Sequence, residues 1–491
     1  MRIVLDLSSV NDYATFLRVK QLPAYRFEGR TAVFDDVYAS RVGLAASASG
    51  TTEYTPPKWM FDYQRDIMRT ALEKRKYSVF ADCGLGKTPI LLEFAREVLA
   101  REGGKVLYVC PLMVVKQTVR ECERFYGHSF LKPMAAKDLA AWLESDESGV
   151  AIVNYDAITD ELPTVRLSGL ILDESSMLKS HYGAWGTRLI AMGRGVPYKL
   201  AATGTPAPND RIEYANHAVF MDAFPTVNSF LARFFVNRGE TSERWELKPH
   251  ALKPFYVALS HWCIFLTDPS TYGWRDNCGT LPPIHVHIHD VPSTTEQRDA
   301  LMQSEGTLFV ANAGGIGSRG RIARIGKGIH DGKRIESNKT QYIADLVASW
   351  PDEQTIVWCK YNAEQDDVSA AIPGCGNIDG STPIEERQRI IDAFKAGDIR
   401  TIVTKPKILG FGLNLQCATR QVFAGLQDSY EEFYQAVKRS NRYGSTRPLN
   451  VHIPVTEFEA PMVDNVLNKS RRVDADTREQ EAMFRAMGSN K

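Results

Sequence analysis

Long apolar runs are missing from this sequence. None approaches the ~18 residues that a membrane-spanning helix needs, so no membrane span is expected. Net charge is missing too. The 59 Lys and Arg balance the 59 Asp and Glu, which argues against a polybasic, histone-like binder and leaves room only for local basic patches. There is no C-x-x-C. The eight cysteines are scattered at 83, 110, 122, 263, 278, 359, 375 and 417, which reads as a reducing, cytosol-type compartment. The amino terminus breaks its apolar run at Asp6 and lacks a small-residue cleavage site, so it does not read as a signal peptide. A cytoplasmic location is therefore expected. What is present, 44% hydrophobic and 24% charged residues, is ordinary globular usage and excludes collagen-like, low-complexity and wholly disordered chains.

The 491 residues suggest about three domains. Residues 1–48 read as a small α+β unit: a strand at 2–7, a helix at 10–22, then two strands around Glu28-Gly29-Arg30. A polar linker follows at 45–57. From Trp59, apolar strands alternate with amphipathic helices, with strands expected at 78–81, 106–109, 150–153, 169–172 and 198–202. That alternation predicts a mostly parallel sheet covered by helices. It breaks near Asn209. A second alternating series has strands expected at 355–359, 376–379, 400–404, 421–424 and 451–455. The expected division is 1–48, a first α/β block at 49–210, helical insertions and a linker at 211–340, a second α/β block at 341–460, and a charged terminal helix at 461–491 that frays.

Ala81-Asp82-Cys83-Gly84-Leu85-Gly86-Lys87-Thr88 follows a predicted strand and opens a predicted helix, the context of a phosphate-binding P-loop. Gly84 and Gly86 let backbone N–H groups close round phosphates, and the helix N-terminus favours the anion. Lys87 should reach the β- and γ-phosphates and Thr88 should hold Mg²⁺. The first position is Ala81 rather than glycine. Further on, Leu170-Ile171-Leu172 delivers Asp173 and Glu174 to a strand end. Asp173 would join the Mg²⁺ shell, and Glu174 would orient or deprotonate an attacking water. Finally, Gln435 to Gly444 carries Arg439 and Arg442, expected on one helical face as arginine fingers. The spacing of the three motifs favours function, with each block supplying part of one site.

This ordered series resembles the superfamily 2 helicase-type ATPases, and within them the Swi/Snf-type double-stranded DNA translocases, over about residues 58–460. Phe61-Asp62-Tyr63-Gln64 is similar to the Q motif, which implies that Gln64 contacts the adenine. Cys110-Pro111-Leu112 resembles motif Ia, Asn154-Tyr155 motif Ib, and Thr203-Gly204-Thr205-Pro206 with Asn209 motif III. Gly410 to Leu415 resembles motif V, with Gly412 toward nucleotide and Asn414 toward nucleic acid. The resemblance implies two RecA-like lobes with helical insertions, ATP and Mg²⁺ as cofactors, and duplex DNA gripped through its phosphates by Pro111, Tyr155, Thr203, Thr205 and Asn414. Ser176 stands where motif II usually has histidine. Short chains with such a Ser-Ser pair look more like phage-encoded relatives, in a bacterial or phage-infected host cell.

Two stretches keep two readings each. His285, His287 and His289 alternate on one strand face and could bind Zn²⁺, or form an ordinary exposed face. Residues 311–340, with Arg319, Arg321 and Arg324 among several glycines, could be a mobile phosphate-binding loop or a solvated linker. Three functions follow. The first is an ATP-driven translocase on duplex DNA, the second a strand-separating DNA or RNA helicase. The third is a nucleotide-gated binding module with residual ATPase, whose N-terminal unit recruits a protein partner.

Overall fold

The structure is a computed structural model. It describes residues 1–6, 8–22, 25–34, 36–44, 54–180, 183–208, 210–239, 245–275, 281–305, 316–409, 414–426, 430–442 and 445–488. The chain divides into two compact units, Met1–Asn277 with Asp476–Lys491, and Cys278–Ala475.

The first unit is built on an all-parallel sheet of seven strands. Their order is Cys263–Leu266, Lys76–Ala81, Tyr198–Thr203, Gly169–Asp173, Lys105–Cys110, Gly149–Asn154 and Leu131–Pro133. The central strands read as near-continuous Val, Leu, Ile and Ala and are buried along almost their whole length, as a sheet covered on both faces requires. Parallel neighbours need crossover connections, and helices such as Lys87–Glu102 and Leu112–Tyr126 supply them. The edge strand Cys263–Leu266 comes from the stretch read from sequence as helical insertion. Helices Tyr214–Phe220, Val227–Phe234 and Leu252–Ser260 from that stretch bury Phe220, Phe230, Phe234 and Phe255 in the same core.

A three-stranded antiparallel sheet, Arg2–Val4, Thr31–Val33 and Arg26–Glu28, forms the small N-terminal unit with helix Val10–Lys20 around Val19, Leu22, Ala32 and Phe34. Arg233 Nη1 donates to the Leu22 carbonyl at 3.0 Å. The terminal helix Ala460–Gly488 is anchored near its end. Phe484 packs edge-on against Phe265 at 5.1 Å, and Glu481 Oε2 accepts from Thr267 Oγ1 at 2.7 Å.

The second unit has an all-parallel six-stranded sheet in the order Ile284–Asp290, Leu449–Val455, Arg420–Phe423, Thr355–Trp358, Thr401–Thr404 and Gly376–Ile378. Its two faces carry separate cores, one around Ile356, Phe394, Val451 and Ile453, the other around Val357, Val403 and Val422. The outermost strand, Ile284–Asp290, pairs Ile284, Val286 and Ile288 with Leu449, Val451 and Ile453. The first three are 37–48% exposed while their partners are core.

Two expectations for residues 311–340 are corrected. Among the described residues the stretch is neither loop nor linker: Ile316–Gly326 is a helix, followed by a two-stranded hairpin, Ile329–His330 with Lys333–Arg334. Ile322, Ala323 and Ile325 give that helix an apolar face, buried against Ala300, Leu301, Phe458 and Met462. No helix among the described residues is long and apolar enough to cross a membrane.

Candidate nucleotide and metal site

The strand Lys76–Ala81 delivers the stretch read from sequence as a P-loop, whose shape rests on two glycines. Gly84 (φ +92°) and Gly86 (φ +62°) are both left-handed, where a Cβ is costly. At Gly86 a Cβ would also stand 2.3 Å from Gln64 Nε2. The helix Lys87–Glu102 then starts with no side-chain cap, so its first N–H groups are left for a ligand. Thr88, its second residue, is half-buried. Lys87 is 9% exposed and its Nζ donates to the carbonyls of Ala81 (2.9 Å) and Asp82 (3.2 Å). Those two oxygens hold the ammonium over the loop it closes.

The loop is clamped from the helix Asp62–Lys74. Gln64 Oε1 accepts from Phe61 N–H at 2.9 Å, and Gln64 Nε2 donates to the Gly86 carbonyl at 3.2 Å. Tyr63 Oη donates to the Leu85 carbonyl at 3.0 Å. Gln64 is buried and fastened to that loop's backbone.

Two strands away, Asp173 is buried at the end of Gly169–Asp173. Tyr108 Oη donates to its Oδ2 at 3.1 Å, and the Glu174 N–H donates to its Oδ1 at 2.9 Å. Burial, and next the adjacent Glu174 carboxylate, push the Asp173 carboxyl up to about 7, against the pull of the Lys87 ammonium. A buried Asp173 beside the half-buried Glu174, opposed by one lysine, is a place where a divalent cation is electrostatically welcome. Among the described residues no group of three or more His, Cys, Asp or Glu could hold a metal by itself. Asp173 and Thr88 are the residues that would hold a Mg²⁺, with phosphate oxygens completing the shell, the usual habit of this ion. Thr203 Oγ1 donates to Glu174 Oε2 at 3.3 Å and accepts from the Thr205 N–H at 3.2 Å. A Cβ on Gly204 would lie 3.5 Å from both the Ala81 carbonyl and Cys83 Sγ, so this turn packs against the P-loop.

In the second unit Arg439 is buried and Arg442 half-buried. The expectation that they share a helical face is corrected. The helix Tyr430–Val437 stops before both, and tight turns follow. Ser440 N–H donates to Val437 O at 3.2 Å, Gln421 Nε2 to Ser440 Oγ at 2.8 Å and Asn441 Nδ2 to Pro282 O at 2.7 Å. Side chains of Ser440 and Asn441 are thus spent on fixing the turn, which ends the helix. The Leu415 N–H donates to the Arg439 carbonyl at 3.0 Å, joining the stretches read as motifs V and VI. Gly412 and Asn209 lie outside the described residues.

The eight residues assigned to nucleic acid divide by burial. Asn414, Arg321 and Arg324 are exposed, and Pro111 and Arg319 half-buried. Tyr155, Thr203 and Thr205 are interior, which does not suit a phosphate contact. Tyr155 Oη instead donates to the Asp173 carbonyl at 2.8 Å. Sequence reasoning also passed over Tyr63, Tyr108, Asn216 and His217. Tyr63 stood inside a quoted motif, while Tyr108 reads only as another apolar strand residue. The histidine strand face is exposed at His285 and His287, with His289 Nε2 2.9 Å from His452 Nδ1 and Tyr342 Oη 3.0 Å from His289 Nδ1.

Known families place this chain further. A family described as the helicase conserved C-terminal domain matches residues 338–444. The chain is similar to the ATP-dependent helicase fft1 of Schizosaccharomyces pombe, 28% identical over 129 residues, covering 25% of this chain and 14% of that protein. It is 32% identical over 102 residues to the DNA 3'-5' helicase XPB of Mycobacterium tuberculosis, covering 21% and 18%. It is 22% identical over 426 residues to the DNA annealing helicase and endonuclease ZRANB3 of Mus musculus, covering 80% and 38%. The chain thus spans well under half the length of these curated relatives. These come from a yeast, a bacterium and a mouse, and lend no support to a phage origin. A solved Sulfolobus solfataricus SWI2/SNF2 ATPase core in complex with dsDNA aligns over 86% of this chain and 94% of its own, at 17% identity and a TM-score of 0.40.

Proposed function

Because the chain belongs to the superfamily 2 helicase-like ATPases, with Swi/Snf-like character, we propose that it hydrolyses ATP with Mg²⁺ and couples this to movement along, or remodelling of, double-stranded DNA or DNA–protein complexes. The observation that carries the reading is the first unit's assembly of an uncapped helix start at Lys87, the buried Asp173, and the half-buried Glu174 linked to Thr203.

Lys87 exchanges its two carbonyl partners for phosphate oxygens, which its ammonium can serve as donor in the same way. The uncapped N–H groups of Lys87–Glu102 hold phosphate charge. Asp173 and Thr88 would hold Mg²⁺, which when bound would neutralise phosphate charge. Glu174 orients the attacking water and accepts its proton, with Thr203 fixing the carboxylate. Arg439 and Arg442 are assigned to charge developing on the γ-phosphate by the motif resemblance alone. Asn414, Pro111 and the basic helix are assigned to DNA phosphates. The N-terminal unit is assigned to a protein partner, from its position ahead of the P-loop.

Steady-state ATPase with and without duplex DNA tests the reading. Lys87→Ala should abolish turnover by weakening nucleotide binding. Glu174→Gln should abolish turnover yet still bind ATP. Arg442→Ala should keep nucleotide affinity and lose roughly 10³-fold or more in kcat. A Glu174→Gln protein that hydrolyses ATP at the wild-type rate overturns the water-activating role. The XPB similarity favours strand separation as a second reading. Triplex displacement without fork unwinding selects the translocase, and the reverse selects the helicase.

A further inference from the structure

Immediately after Asp173 the backbone takes an unfavourable turn. Glu174 is left-handed, φ 50° and ψ 53°. That conformation is unfavourable for an L-residue and persists only where the surroundings fix both flanks. Tyr155 secures one flank through the Asp173 carbonyl. The other flank is met by the helix Tyr214–Phe220. His217 Nε2 lies 3.0 Å from Ser175 Oγ, with both side chains completely buried. From the same helix, Asn216 Nδ2 donates to the carbonyls of Leu178 (2.8 Å) and Ser180 (2.6 Å). The His217 ring also meets Phe80 edge-on, with centroids 5.2 Å apart, and Phe80 lies in the strand that delivers the P-loop. One imidazole therefore touches both the strand behind Lys87 and the residue that follows Glu174. Burial pushes that imidazole down to about 4, so it is neutral at physiological pH. A neutral imidazole carries one donor and one acceptor and can match a hydroxyl without adding charge beside the acidic pair.

We propose that His217 is a positioning residue for the hydrolysis assigned to this unit: through Ser175 it holds the left-handed Glu174 whose carboxylate meets Thr203. This rests on the ATPase reading above. A histidine that only fills the core would loosen the whole unit when removed and leave Glu174 no worse placed than its neighbours.

The test uses the full chain and four variants, His217→Leu, His217→Gln, Ser175→Ala and the double Ser175→Ala with His217→Leu. Their kcat and KM for DNA-stimulated ATP hydrolysis are measured, with amide hydrogen exchange of the nucleotide-free protein. His217→Leu should lower kcat by up to about 10²-fold, the scale of a misplaced catalytic group, with KM near wild type. His217→Gln, which keeps a polar nitrogen at similar reach, should recover most of it. The double variant should be no worse than the worse single, since both remove one contact. Exchange should quicken over residues 173–180 in His217→Leu and return toward wild type in His217→Gln. Normal kcat, additive losses, a glutamine as poor as leucine, or exchange that is unchanged at 173–180 or quickened throughout the unit would each overturn the proposal. A wild-type chain without ATP turnover would sink the ATPase reading and this role together. A normal His217→Leu beside a dead Lys87→Ala would sink this role alone.

Discussion

At Gly86 two independent constraints meet in one residue. Its φ of +62° excludes an easy side chain, and its neighbour Gln64 leaves no room for one. Gly86→Ala should therefore both strain the loop, by roughly 1–2 kcal/mol, and push Gln64 off the Gly86 carbonyl. The expected result is weaker nucleotide binding with the fold intact, read by titration of ATP against thermal unfolding. Replacing Gly29, also left-handed but with open space around it, should strain the backbone without touching nucleotide affinity. The glycine, lysine and carboxylate positions are legible in sequence because each needs a particular residue type at a fixed place along the chain. Tyr108, Tyr155 and His217 were not legible as supports of Asp173 and Glu174. Their partners lie 65, 18 and 42 positions away, and nothing about a tyrosine in a strand announces what its hydroxyl reaches.

The helix Ile316–Gly326 shows what pattern reading loses at the level of elements. Its glycines and arginines suggest a loop, yet Ile322 and Ile325 give it a face that finds Phe458 and Met462, residues over a hundred positions downstream. The strands, by contrast, announced themselves, because a sheet covered on both faces needs uninterrupted apolar residues within each strand. The basic face has its own test. Arg321→Glu with Arg324→Glu should weaken binding to unrelated duplexes alike and flatten the salt slope by about 0.9 per lost phosphate contact. An unchanged slope assigns these side chains to solvent. The strand Leu449–Val455, beside the one that carries His285, His287 and His289, gives a different expectation. Burial first, then His287, His289 and Arg420, lower His452 to about 3. The folded pKa is depressed below the ordinary ~6.5, so the stabilisation is present above that pH and is lost as pH falls from it toward 3. Thermal midpoints measured from pH 7.5 to 5 should fall, and His452→Asn should flatten that fall.

For the whole molecule the balance of 59 positive and 59 negative side chains means that no net charge keeps copies apart near neutral pH. That makes the outermost strand Ile284–Asp290 more consequential than its seven residues suggest. Ile284, Val286 and Ile288 continue the core face past its cover, beside the strand edge that has no neighbour among the described residues. Such an edge is a template for another strand, and charge placed on it is the usual defence. Concentrated stocks should turn cloudy soonest close to the isoelectric pH and clear with added charge. Val286→Lys should raise the concentration at which light scattering sets in while leaving ATP turnover unchanged. Solubility in storage is then expected to respond to three side chains far along the chain from Lys87.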